Sequence, residues 1–401
     1  MTSERETATT ARLMAAFARG TGLSPAADNP QRYLWTDAFA VCNFLELFER
    51  TGDQEYRRAA TALIQQVHWV LGRFRHDEGR KGWISGLDEE AGRRHPTLGG
   101  LRIGKPLKER GADEIIDERL EWDRDGQYFH YLTKWMHALC RTAFLLRSQE
   151  CAQWAGELAQ TAFKAFARRL GSGKLVGVFW KMSTDLSRPL VPAMGLHDAL
   201  DGFITFREVQ HAIVKILGVD AAVSGLSHAT EALFALCEHG QWATDDPLGV
   251  GGLLFDACRL CQLLGQEDRR ELRLLEDVMQ GSGDGLMIML KTGYLKRPAR
   301  HRLAFRELGL AIGLRAVPII ANKFQNERNA FGSRPSTLRL IDLLLPYERL
   351  SNELIDFWLP YAEDPDESWK AHQDINEVML ATAIAPSTFL SVRERIPMQV
   401  S

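Results

Sequence analysis

Long hydrophobic runs are missing from this 401-residue chain. The stretch LLFDACRLCQLLG, residues 253–265, is interrupted by Asp256 and Arg259, so no membrane-spanning helix is expected. A charge of one sign is missing too. The formal net charge is −3, with no long acidic or basic block. That excludes a nucleic-acid or anionic-membrane surface as the main business. Cysteines are few: six, at positions 42, 140, 151, 237, 258 and 261. Cys258-x-x-Cys261 is a single pair in mid-helix with no second pair and no nearby His, so buried, reduced thiols are expected and no zinc. Residues 1–20 lack a basic start followed by an apolar core, so no secretory signal is expected and the chain reads as cytoplasmic. A Walker loop and a G-x-S-x-G elbow are both absent, which disfavours phosphate-driven and serine-hydrolase chemistry. No cofactor and no metal is called for. Strand patterns are nearly absent, and Lys174–Trp180, KLVGVFW, is the best of them.

Helical patterns fill the rest. Thr36 or Asp37 can cap a helix whose apolar positions Phe39, Ala40, Phe44 and Leu47 follow a period near 3.6. Gly52 and Asp53 break it, and a second helix runs from about residue 55 to 74. The same hairpin recurs at 127–147 with 150–170, at 198–217 with 221–239, and at 249–264 with 268–290. Residues 303–321 and 337–358 make a fifth pair, with Pro318 ending or kinking its first helix. Residues 368–385 supply part of a sixth, to be completed by an N-terminal helix at about 7–19. The first helices are rich in small residues, as at Gly249, Gly251, Gly252, Gly309 and Gly313. They read as a crowded inner layer, and the more charged second helices as an outer one.

Turns within pairs are short, whereas connections between pairs are long, above all residues 76–126. In a closed ring of hairpins those long connections emerge at one end. The densest chemistry lies there, in IDERLEWDRDGQYFHYLTKW at 116–135. It reads as one lip of a polar, aromatic pocket.

The first hairpin opens on Trp35-Thr-Asp37-Ala-Phe and turns at Thr51-Gly52-Asp53-x-x-Tyr56. With the hairpin rhythm, this resembles the six-hairpin glycosidase-like, (α/α)6-toroid superfamily over roughly residues 33–390. The resemblance implies an all-α toroid, flanked by an N-terminal segment, 1–32, and a tail, 391–401. It also implies a funnel at one end, used on sugars by hydrolases, lyases and epimerases; fold alone does not choose among them.

Three readings follow. In the first, a glycoside hydrolase acts on a small-molecule or oligosaccharide substrate. Its general acid is Asp123 or Asp125 and its partner Asp198 or Asp201, since the chemistry needs two carboxyls about 5–10 Å apart. Each also has a plain structural reading: Asp125 as a cap, Asp123 as a partner of Arg124, and Asp198 with Asp201 as acids at a positive helix end. In the second, a sugar epimerase or isomerase uses histidines as acid and base, with His130, His197 and His301 near inner-helix starts and His372 a fourth candidate. In the third, a non-catalytic helical scaffold binds a partner protein. For sugar binding the candidates are Trp35, Trp83, Trp122, Trp180, Trp242 and Tyr128, whose flat rings suit a pyranose face. Asp37, Glu121, His130 and His301 would read hydroxyls. Arg102, in Gly99-Gly100-Leu101-Arg102-Ile103-Gly104-Lys105, would meet a carboxylate or phosphate.

Overall fold

The computed structural model describes residues 3–218, 221–238, 240–265, 268–326 and 335–392. After α1 (Ser3–Gly20), helix α2 (Leu34–Thr51) stops at Gly52, in the left-handed region at φ +72°, whose N–H returns to the Phe48 carbonyl. Asp53 then accepts the Glu55 N–H and starts α3 (Gln54–Leu71). A glycine that tolerates the turn and an acid that caps the next helix thus reverse the chain within two residues.

The device recurs with other residues. The long connection after α3 holds the short α4 (Glu89–Arg94) and α5 (Glu118–Glu121). Left-handed Arg147 and capping Ser148 join α6 (Phe129–Leu146) to α7 (Gln149–Phe166). Gly218 ends α8 (Asp198–Leu217) ahead of α9 (Ala221–Cys237). Asp246 caps α10 (Pro247–Leu263), and Asp268 caps α11 (Arg269–Lys291). Then follow α12 (Ala304–Asn326), α13 (Pro335–Leu344), α14 (Glu348–Glu363), α15 (Glu367–Lys370), α16 (Gln373–Ile384) and α17 (Ser387–Leu390).

The ring closes. Each of α2, α6, α8, α10, α12 and α16 packs on the next, and α16 packs back on α2. Outside them lie α3, α7, α9, α11, α14 and α1, each against its own inner helix. The fold is an (α/α)6 toroid, and α1 supplies the missing half of the sixth pair. Pro318 does not end its helix: α12 continues through it to Asn326. The helix expected at 337–358 is instead two, separated by a 3-10 turn at Leu345–Tyr347 that carries Pro346. Small residues let the inner layer close up, since a Cβ on Gly251 would lie 2.1 Å from the Gly309 carbonyl oxygen.

Strands are more numerous than expected but brief. The expected one is β3 (Leu175–Val178), antiparallel to β2 (Ala167–Arg169). Three more, β1 (Gln127–Tyr128), β4 (Lys181–Met182) and β5 (Pro189–Val191), form a small sheet of order β1-β4-β5 that ties the start of α6 to the following connection. At the other end of the ring, α17 acts as a plug. Glu46, near the end of α2, accepts the Thr388 N–H. Phe389 stacks between Phe39 and Phe255, with centroids 4.3 Å away on each side. Such pairs add roughly 0.5–1.5 kcal/mol beyond their buried area. All six cysteines are buried, and none of them forms a disulfide. Among the described residues no helix is long and apolar enough to cross a membrane.

Candidate active site

With its far end plugged, the ring opens only where the inner helices begin. A cavity of about 1430 Å³ lies there. Its wall takes residues from the first turns of α2, α6, α10, α12 and α16, and from the connections around Trp69–His76 and Arg102–Pro106. Helix N-termini carry partial positive charge, so their convergence favours negative charge on whatever sits inside.

One wall is aromatic. Trp122, 55% exposed, meets Trp180 edge-on at 5.0 Å. Trp180 tilts against Tyr128 at 5.3 Å, and the His130 ring lies nearly parallel to both. Tyr33 and Tyr131 share a hydroxyl–hydroxyl hydrogen bond. Burial and the neighbouring Tyr33 push the Tyr131 phenol well up, so it stays protonated. His130 has no hydrogen-bond partner at Nδ1, which lies 3.9 Å from Asp198 Oδ1. Burial, helped by Lys134, lowers its pKa to about 4, and the ring is neutral at pH 7.

The opposite wall comes from α2 and α16. Asp37 is buried, accepts the Tyr33 N–H and lies 3.3 Å from Arg32 Nη1. Burial lifts its carboxyl to about 6, although Arg32 opposes the shift. Burial also raises Asp374. His372 packs edge-on to Phe305 at 5.6 Å, and burial with nearby Lys105 lowers its pKa.

Eight of the residues expected from the sequence line this cavity: Trp35, Asp37, Arg102, Trp122, Tyr128, His130, Trp180 and His372. None of the four expected catalytic carboxylates does. Asp123 is exposed on the outside of its loop. Asp125 is 0% exposed, paired to Arg102 and Arg75, and accepts the Gly104 N–H at 3.0 Å. Asp201 lies inside the ring, held by Lys134 at 2.7 Å and Arg259 at 2.6 Å. Burial pushes its carboxyl up, but those two cations outweigh it and hold it well below the usual range. Asp198 sits behind His130, accepts the Gly195 N–H, and is raised by burial to about 7.

Other residues have structural duties. Arg102 spends Nε on the Arg73 carbonyl, Nη2 on the Val70 carbonyl and Nη1 on Asp125, so it braces the loop from the cavity wall rather than reaching for a substrate anion. Glu121 is buried between Arg110 and Lys181. Trp83 is buried beneath Arg73 and Trp69, where it locks the long connection down. Trp242 is buried, and its carbonyl oxygen lies 3.1 Å from His197 Nε2, outside the cavity. His301 is exposed on a 3-10 turn. Among the described residues no three His, Cys, Asp or Glu side chains gather as a metal set. The wall also takes residues not anticipated: Arg32 and Tyr33 just before α2, Trp69 at the end of α3, Lys105, Arg306 and Asp374.

No family model matches the chain, and no curated protein matches it. Among solved structures it is similar to two cellobiose 2-epimerases. That from Bacillus thermoamylovorans B4167 is 8% identical, over 80% of this chain and 76% of that one, with a TM-score of 0.43. That from Spirochaeta thermophila DSM 6192 is 12% identical, over 90% and 87%, with a TM-score of 0.46. It is also similar to the GH76A alpha-1,6-mannanase from Salegentibacter sp. HEL1_6, 11% identical over 96% and 100%, with a TM-score of 0.43. From its own closed ring of six helical hairpins, plugged at one end and open at the other, the chain is an (α/α)6 toroid.

Proposed function

We propose that this chain is a carbohydrate-active enzyme and that its chemistry is proton transfer on a sugar, as in an epimerase or isomerase. The observation that supports this reading is the company in the funnel. Three imidazoles line it, His76 on the exposed connection after α3 and His130 and His372 at inner-helix starts, while the four acids expected to hydrolyse a glycosidic bond are paired, shielded or outside. A neutral imidazole can take the proton next to a sugar carbonyl, and a second can return one. The enediolate that forms between those steps carries negative charge. The helix N-termini and the Lys105 side chain around the funnel would stabilise it. The aromatic wall of Trp122, Trp180 and Tyr128 suits the apolar face of a pyranose.

One observation favours a second reading. Asp37 and Asp374 both line the funnel and both hold their protons more tightly than an ordinary carboxylate, a property a glycosidase needs in its general acid. A single experiment separates the two. Aldoses and disaccharides are incubated with the protein in D2O and followed by proton NMR. Proton transfer incorporates deuterium beside the carbonyl, and His130→Gln and His372→Gln abolish it. New reducing ends without exchange, lost in Asp37→Asn, would overturn the epimerase reading in favour of hydrolysis.

A further inference from the structure

We propose that the funnel is built for an anionic sugar, one bearing a carboxylate or phosphate that is met by Lys105 between the starts of α2 and α16. This rests on the sugar reading above and adds the substrate class to it.

The charge of the funnel runs against the charge of the chain. The whole sequence is net negative at −3, yet the wall carries only Asp28, Asp37 and Asp374 against a majority of arginines and lysines. Several of those cations are already answered from behind the wall. Arg73 pairs with Glu89 at 2.7 Å, Arg75 with Asp77 at 2.7 Å and Arg306 with Asp246 at 2.6 Å, and Arg102 has Asp125.

Lys105 differs. Among the described residues no carboxylate lies within ion-pair reach of it, and its ammonium sits 5.2 Å above the Tyr33 ring. Arg32 is not a second contact: it is buried, held by the Thr21 carbonyl at 2.8 Å and by Asp37 at 3.3 Å. An anion placed at Lys105 would find an ammonium without a carboxylate partner, close to His372 at the start of α16 and Tyr33 just before α2. A charge-assisted hydrogen bond from an ammonium is one that carboxylates and phosphates take.

The test is a titration of the intact protein with glucose, glucuronate, glucose 6-phosphate and inorganic phosphate, read by calorimetry and thermal shift. Glucuronate or glucose 6-phosphate should bind more tightly than glucose, and added salt should weaken that preference. Lys105→Met, which keeps the stem over Tyr33, should cut the preference about tenfold or more, as expected for a charge-assisted hydrogen bond. Lys108→Met removes an equal charge from the exposed loop nearby and should leave it intact. Glucose binding as tightly as either anion, or a preference that survives Lys105→Met, overturns the anion site and leaves the sugar reading standing. Inorganic phosphate binding as tightly as glucose 6-phosphate overturns a site built for a sugar. Absence of binding by any sugar overturns both.

Discussion

Two groups of charges sit on the same inner helices and have opposite characters. In the middle of the ring, Arg259 reaches Asp201 and Asp256 at 2.6 Å and Glu208 at 3.3 Å, while His137 Nδ1 meets Glu208 at 2.8 Å. His137 Nε2 lies 2.9 Å from the Phe389 carbonyl oxygen. Nearly every group there has its counterpart, and the network is sealed from solvent. At the mouth, the His130 ring is partly exposed with its Nδ1 3.9 Å from Asp198, and the Lys105 ammonium has no carboxylate within reach among the described residues. Satisfied polar networks fix a structure, whereas unsatisfied groups on a cavity wall are what a ligand can complete. The chemistry proposed for this toroid lies where charges lack partners, not where they are densest.

The largest expected effect breaks the satisfied network. Arg259→Met leaves three buried acids facing one another and should cost roughly 3–5 kcal/mol in urea unfolding. At the mouth, His130→Gln should reduce turnover about 100-fold or more once a substrate is found, while the melting temperature moves by only a few degrees. A melting loss as large as that of Arg259→Met would erase the contrast between the two regions.

Asp37 sharpens the contrast through pH. Its folded carboxyl holds a proton up to about 6, against an ordinary 3.8. Between those values the unfolded chain has released the proton and the folded one has kept it. Stability therefore falls as pH rises through that window and levels off above it. Asp37→Asn should remove this part of the fall, seen in the difference between the two pH–stability curves. The smallest effect belongs to Asp123→Asn. The side chain is exposed and off the cavity, so stability should stay within about 0.5 kcal/mol and activity should be unchanged.

The toroid was legible because its signals are local: a glycine and a cap at each turn, a 3.6-residue apolar period, and short turns alternating with long connections. The sixth pair was legible as an unpaired helix at each end of the series. The aromatic wall was legible as well, since Trp122, Tyr128 and His130 are close in sequence. The surroundings of the candidate acids were not. An Asp at a helix start looks the same as a cap, an ion-pair member or a catalyst, and the deciding partner lies far along the chain. Asp201 is settled by Arg259, 58 residues on, and Asp125 by Arg102, 23 residues back. The segment Gly99–Lys105 was singled out for Arg102. Arg102 turns inward to Asp125, and Lys105, three residues later, stands in the funnel without a carboxylate.

The sixth hairpin has a consequence for how the molecule is made. Its halves are α1 and α16, from opposite ends of the described chain, and α16 meets α2 through bonds such as Asn43 Nδ2 to the Val378 carbonyl, 335 residues apart in sequence. The other hairpins can form as each emerges from the ribosome. This one must wait, with α1 and one face of α2 uncovered, until the ring is nearly complete. Contacts of such long range carry the largest loop-closure entropy and form slowly. The toroid is a necklace whose clasp is fastened last, and the growing chain needs shielding at its beginning for as long as its end is still being synthesised.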